Sequence, residues 1–437
     1  MKRIPVDFSY GDETVTVEIP ESSFIGALEP GDDKAAADPG REVVNALLYP
    51  IGTKRLRELA AGKKSVLIMV PDKTRKLPLD ILLPQVISEL EDAGVNNEAI
   101  EILIGAGTHR AMTDDEIRAH FGKELYDRYK SRIHNHEWWI PEQLKYIGMT
   151  PNGTPIDINR YVCEADFKIA IGSVKPHRDA GWSGGAKMIQ PGVSGFRTTG
   201  RTHWLAAQYP VQEILGNNDN VVRREMEQIA SQVGLDFIVN CVLDDHYNIS
   251  EVYAGHFIDA HRAACMSARK HFTARIHELC DILICGSSKE QSSMWSNATG
   301  PNWSELVLKE GGTVILLAKC IDGICDEHPD VLKYGYLPTD KIKALVDAGE
   351  ISDLAAASHI QHGGEKLCRK NIRCIIVSEG VSREDAARLG IEYAESPQEA
   401  LETALSYYRE TARVYAYPSY YFSELIVEYG NIQGHVK

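Results

Sequence analysis

A chain of 437 residues, 43% hydrophobic and 25% charged, is too long for one compact core and has the composition of a globular protein of two or three domains. Its net charge of −15, without any block of lysine or arginine, argues against nucleic acid as a partner, because phosphate neutralisation needs a basic face. No apolar run approaches the roughly 18 residues of a membrane span, the start MKRIPVDFSYGDE lacks the apolar stretch of a signal peptide, and nine cysteines without a CxxC pair read as reduced, cytoplasmic thiols.

In chain order, VDFSYGDETVTVEI alternates about a Gly-Asp turn and predicts a hairpin. Three apolar runs then predict strands, each followed by a polar loop: SVLIMV (65–70) before PDKTRK, AIEILIG (99–105) before AGTHRAMTDDE, and FKIAIG (167–172) before SVKPHRDAGWSGGAK. Between the first two, LDILLPQVISELEDAG has helical periodicity and ends in glycine. Thr113 and Glu116 are spaced as a capping box opening a helix over EIRAHFGKELYDRY. A helical stretch at about 256–275 fits either half of the chain. A second series follows in DILICG (281–286), TVILLA (313–318) and RCIIVSEG (373–380), accompanied by helical DKIKALVDAG and PQEALETALSYY. The tyrosine-rich tail from about 412 either packs back onto the body or forms an interface. There is no tandem repeat and no low-complexity linker. The expected class is α/β, with two α/β domains, 1–274 and 275–437, mainly parallel sheets, and an active site in the cleft between them.

Ligands of open α/β sheets gather beyond the carboxyl ends of the strands, and three unusual motifs fall there. Asp72 and Arg75 follow the first strand. An isolated DxxR reads as a surface turn with a local ion pair, or as an anion site with Arg75 as a forked donor. GAGTHR places His109 at a glycine-lined loop mouth, although the run is too short for a dinucleotide fingerprint. HRDAGWSGGAK joins His177, a turn containing Gly184 and Gly185, and Lys187. It lacks the Walker A spacing, and it reads as a glycine turn with a solvent lysine or as a loop whose lysine is a nucleophile, an anion partner or a covalent anchor. His203 stands in no recognised zinc spacing and taken alone reads as a core histidine.

DKTR, GTHRAMTDDE, HxxAGxSGGAKxxxPG and the later histidine, in that order over about 65–205, together resemble the nickel-dependent lactate racemase family. The resemblance implies a nickel-pincer nucleotide, a modified nicotinic acid mononucleotide, joined through a thioamide to Lys187 with Gly184 and Gly185 beside it. It further implies nickel held by His203 together with the pincer, His109 and His177 as catalytic histidines, and Asp72 and Arg75 lining the site. On this reading, 1–274 is the cofactor-binding catalytic domain and 275–437 closes over the substrate. The implied reaction inverts C2 of a 2-hydroxy acid by hydride removal and return through a 2-keto acid. Arg75 would anchor the carboxylate, and the histidines would exchange the hydroxyl proton. The implied partners are the small-molecule substrate and the separate enzymes that build the cofactor; oligomeric state is left open.

The second half departs from the family. Where lactate racemase has a tyrosine-glutamine segment and a lysine, GSSKEQSSMWSNATG (286–300) aligns Trp295, Ser296 and Thr299, with Lys289 nearby as an exposed loop lysine or substitute charge. Ser292, Ser293, Ser296, Asn297 and Thr299, together with Arg178 and Asp179, suit a polyhydroxylated chain. The expected substrate is therefore a sugar acid such as an aldonate rather than lactate. Alternative readings are a lactate or other short-chain 2-hydroxy acid racemase, a lysine-dependent lyase, a hydrolase using His109, His177 and His203 around a metal, and a non-catalytic sugar-acid or nucleotide-binding protein.

Overall fold

The computed structural model describes residues 2–29, 31, 34–408, 410–420 and 424–430. They form two compact units. The mid-chain unit comprises Asp32–Ala206 and Gln212–His271, and the split unit comprises Met1–Gly31, Ala207–Val211 and Phe272–Lys437.

The mid-chain unit is built on a six-stranded sheet: β1 (Val66–Pro71), β2 (Ile100–Gly105), β3 (Ile133–Asn135), β4 (Phe167–Ser173), β5 (Phe237–Leu243) and β6 (Ile249–Gly255). Their spatial order is β6-β5-β4-β1-β2-β3, with every neighbouring pair parallel except the antiparallel edge β5–β6. Every residue of β1 is buried, which explains its unbroken apolar run: a central parallel strand is covered on both faces. The helix Leu79–Asp92 crosses from β1 to β2 and buries Leu82, Leu83, Val86 and Leu90 in the core beneath the sheet. The chain thus leaves β1 toward β2 and β3, then returns to β4 on the other side of β1. The carboxyl ends of β1 and β4 flank the point where the winding reverses, the place where open α/β sheets take ligands.

Thr113 and Glu116 form the full reciprocal capping box. The helix expected over EIRAHFGKELYDRY is divided, because Gly122 adopts φ +75° and separates Asp114–Phe121 from Lys123–Tyr129. The helical stretch near 256–275 resolves into Asp259–His271 in the mid-chain unit, followed by the strand Thr273–Ile276 in the split unit.

In the split unit, Cys280–Ser288 lies between Leu308–Leu317 and Val414–Tyr420, all parallel, and Arg373–Val377 extends the sheet beyond Leu308–Leu317. The predicted N-terminal hairpin, Arg3–Gly11 with Glu13–Pro20, joins this same sheet: Tyr10 and Gly11 pair with Ser287 and Ser288. The first 31 residues therefore sit with the C-terminal half of the chain, whereas the sequence reading placed them in a domain spanning 1–274. The physical reason is the apolar face of the hairpin. Phe8, Val17 and Ile19 are fully buried against Ile282, Ile315 and Val414, contacts that no local pattern announces. The tyrosine-rich tail packs back on the body as the strand Val414–Tyr420, with Tyr417 edge-on to Trp303 at 5.0 Å. Among the described residues, no helix is long and apolar enough to cross a membrane.

Candidate active site

β1 ends at Pro71 and hands the chain to a tight turn in which Arg75 N–H donates to the Asp72 carbonyl at 3.0 Å. Asp72 is 4% exposed. One carboxylate oxygen accepts from the Thr74 amide at 3.2 Å and from its hydroxyl, and the other lies 2.8 Å from His109 Nδ1. Burial alone would raise this carboxyl, but His109, Arg75 and Thr74 outweigh it and hold Asp72 down at about 2. The ionised carboxylate only accepts, so the neutral His109 ring carries its proton on Nδ1 and its lone pair on Nε2. His109 reaches this position from the loop after β2, where Gly107 N–H donates to Gly192 O at 2.9 Å. Glu116 ties the two loops together, bonding Lys73 beside Asp72 and, at 2.7 Å, Arg110 beside His109.

Beyond β4, Pro176–His177 pairs antiparallel with Gly181–Trp182 in a miniature hairpin. Here the Asp179 amide donates to His177 Nδ1 at 3.1 Å, so the neutral ring carries its proton on Nε2. Burial, reinforced by Lys187, Arg75 and His203 and only partly offset by Asp179, pushes His177 well below its ordinary value. The two imidazoles thus offer opposite polarity at Nε2: an acceptor on His109 and a donor on His177.

Lys187 lies in the short 3-10 turn Gly185–Met188. Burial, aided by Arg75 and Arg223 and opposed by Asp179 and Asp72, brings its amine down to about 7. No hydrogen bond or ion pair to that amine is found among the described residues. A half-buried amine with neither partner nor full charge is suited to acylation rather than to ion pairing.

His203 rides the helix Phe196–Ala207, and its Nδ1–H donates to Thr199 O at 2.8 Å, the arrangement that fixes a metal-binding imidazole with its lone pair on Nε2. Among the described residues, no group of three or more His, Cys, Asp or Glu side chains could hold a metal ion. Any metal bound at His203 must then take its other ligands from elsewhere.

Gly184 and Gly185 owe their identity to packing. Both have positive φ, +74° and +57°. A β-carbon at Gly184 would meet Asn240 Oδ1 at 2.7 Å, and one at Gly185 would meet the His261 ring at 2.8 Å. Protein atoms stand where a β-carbon would go at either position.

The electrostatic coupling among Asp72, Arg75, His109, His177, Lys187 and His203 brings all six into one cluster at the reversal of the sheet. Sequence reasoning missed the groups beneath it: Asn240, which accepts from Gly185 N–H at 2.8 Å; His261, which donates to Ser183 O at 2.8 Å; and the fully buried Arg223. Their only signal in the sequence is a polar residue on an otherwise apolar strand or helix face.

Asn297 and Thr299 are 1% exposed, Asn297 Nδ2 donates to Gln291 O at 2.7 Å, Ser296 Oγ donates to Ser293 O at 2.9 Å, and Ser292 bonds Asp322. Ser292, Ser296 and Asn297 are engaged within the 286–300 loop and its surroundings, whereas the buried Thr299 Oγ1 has no hydrogen-bond partner among the described residues. Lys289 is exposed, and Trp295 stacks on His328 at 4.1 Å and on His359 at 4.7 Å.

A mainly parallel open sheet with a carboxylate-oriented imidazole, a second imidazole, an arginine and a lysine of lowered pKa at its topological switch defines an α/β enzyme for a small anionic ligand. Residues 10–214 match the family described as the lactate racemase N-terminal domain. A lactate racemase of Thermoanaerobacterium thermosaccharolyticum is 32% identical over 325 residues, 73% of this chain and 75% of that protein. A lactate racemase of Lactiplantibacillus plantarum is 26% identical over 95% of this chain and 98% of its own length. The structure of the lactate racemase apoprotein from T. thermosaccharolyticum superposes with a TM-score of 0.84 at 28% identity, covering 97% of this chain and all of that one. A Thermotoga maritima protein shares the fold at a TM-score of 0.72 and 18% identity, over 91% of this chain and all of its own. The chain belongs to the lactate racemase family and is an isomerase of the racemase class.

Proposed function

We propose that this chain is a nickel-pincer-nucleotide-dependent racemase or epimerase that inverts C2 of a 2-hydroxy acid through a 2-keto acid. The observation that carries the reading is the Lys187 amine: lowered to about 7, without a partner among the described residues, and coupled to Arg75, Asp72 and Asp179. Such an amine is free to form the amide-type bond through which the cofactor is held, and His203 Nε2 is the protein's ligand to its metal. When bound, this group supplies the acceptor and donor of hydride at C2, chemistry that no amino-acid side chain offers.

The chain's own residues do the rest. Arg75 pairs with the substrate carboxylate as a forked donor. Asp72 holds the His109 tautomer, so that Nε2 takes the hydroxyl proton of one enantiomer. His177 donates Nε2–H to the substrate oxygen; to act as base for the other enantiomer the neutral ring takes the Nδ1–H tautomer, and its Nε2 lone pair then accepts that hydroxyl proton. A histidine metallohydrolase draws no support from the described residues, among which no three His, Cys, Asp or Glu side chains group to hold a metal ion. The nine free thiols support a reducing, cytoplasmic location, and the separate enzymes that build the cofactor are the expected partners.

For the substrate beyond C2 we infer a sugar acid, on the departure from the family at Trp295, Ser296 and Thr299. Lactate fits the same machinery, and the polar loop at 292–299 adds no weight to either. The test is matured protein given C2-deuterated lactate, longer 2-hydroxy acids and aldonates in ordinary water. Inversion with deuterium kept at C2, read by NMR, is the expected result, and the substrate showing it names the specificity. Loss of the label to solvent at each inversion would overturn hydride transfer, while binding without inversion of any acid would leave a non-catalytic protein.

A further inference from the structure

Arg223 is 0% exposed on the helix Val221–Val233, deep beneath the loop that carries His177 and Lys187. Its guanidinium donates to three carbonyls of that loop: Ala180 at 3.3 Å, Trp182, and Gly184 at 3.3 Å. The Gly184 carbonyl also accepts the backbone N–H of Lys187, at 3.2 Å, so one oxygen joins the arginine to the lysine turn. Among the described residues Arg223 has no carboxylate in ion-pair range, because Glu227 on the same helix pairs with Arg262 at 2.7 Å. A buried cation without a counter-ion is costly, and main-chain carbonyls alone can be satisfied by neutral donors. His261 does so for Ser183 O, and Asn220 for Ala180 O at 3.3 Å. A fork spanning alternate residues 180, 182 and 184 is something only arginine provides.

We propose that Arg223 is a positioning residue for the reaction, a clamp whose three carbonyl bonds fix the His177 hairpin and the direction in which Lys187 presents its amine. This rests on the reading of Lys187 as the attachment point.

The test uses full-length apoprotein, in wild-type, R223K and R223Q forms. Acetylation of Lys187 by acetic anhydride is followed against pH by peptide mass spectrometry, together with deuterium uptake over 180–188. The charged groups acting on Lys187 are Arg75, Asp179, Arg223 and Asp72. Wild type should acetylate with a midpoint near 7. R223Q should raise that midpoint, because it removes one of the two cations that hold Lys187 down. R223K keeps the charge but loses the fork, so its midpoint should stay while deuterium uptake over the loop rises about tenfold. Wild-type uptake in R223K, or an unmoved midpoint in a folded R223Q, overturns the proposal. If R223Q fails to fold, R223K decides alone; if neither folds, Arg223 is a folding residue and the proposal falls. Matured wild type without a mass adduct at Lys187 would end the attachment reading, yet leave these apoprotein measurements decisive for the clamp.

Discussion

His109 Nδ1 stands 2.8 Å from a carboxylate oxygen of Asp72, which is itself held at about 2, so the two side chains act as one oriented imidazole. Asp72→Asn keeps the shape but lets the ring adopt the other tautomer and removes the charge that stabilises an imidazolium. Turnover should fall by roughly 10²–10⁴-fold with little change in KM. Steady-state kinetics in both directions check this, and a loss under threefold would remove Asp72 from the mechanism.

Lys187→Met exchanges a half-buried amine without a partner for an apolar chain of similar length. The apoprotein should gain roughly 1–3 kcal/mol of stability in urea unfolding. The same variant should never acquire the cofactor mass after maturation. His203→Ala should fold normally yet lose the metal, and elemental analysis showing unchanged nickel would refute the ligand assignment.

At Gly185 a methyl group meets the His261 ring at 2.8 Å on a backbone with φ +57°, whereas Gly94 has φ +80° and open space around it. Gly94→Ala should cost about 1 kcal/mol, from the backbone alone. Gly185→Ala adds overpacking and should cost about 3 kcal/mol or more, in the same unfolding assay. Equal losses at the two sites would show that His261 gives way.

His136 is fully buried, donates from Nε2 to Ser194 O at 2.9 Å and accepts at Nδ1 from Asn159 Nδ2 at 3.1 Å, a pattern available only to the neutral ring. Burial lowers it to about 4. The unfolded chain then takes the proton first, near 6.5, so the stability from neutral His136 is present above that pH and is lost as pH falls toward 4. Between pH 7 and 5 the loss from this one group is about 2 kcal/mol. His136→Gln should flatten the pH dependence of unfolding by that amount; an unchanged slope would mean that the group titrates normally.

The strands of the mid-chain unit were legible because burial on both faces demands continuous apolar runs: SVLIMV, AIEILIG and FKIAIG became β1, β2 and β4 within one or two residues. The cap at Thr113 was legible because its chemistry is local. The N-terminal hairpin was readable as a hairpin but not in its destination, since Tyr10 meets Ser287 only after the whole chain has folded. Arg223 and His261 were invisible because a helix face carries no mark of which carbonyls it will meet. The glycines of SGGAK were conspicuous in the sequence, but their packing against Asn240 and His261, which leaves no room for a side chain, was not.

Because the sheet of the split unit takes Arg3–Gly11 from one end of the sequence and Cys280–Ser288 from the other, synthesis on the ribosome delivers its parts far apart in time. The intervening unit can close its own sheet at β6 while Phe8, Val17 and Ile19 still lack the surface that will cover them. Until translation reaches the later strands, that first hairpin keeps an uncovered apolar face, the kind of transiently exposed surface that invites aggregation of a nascent chain.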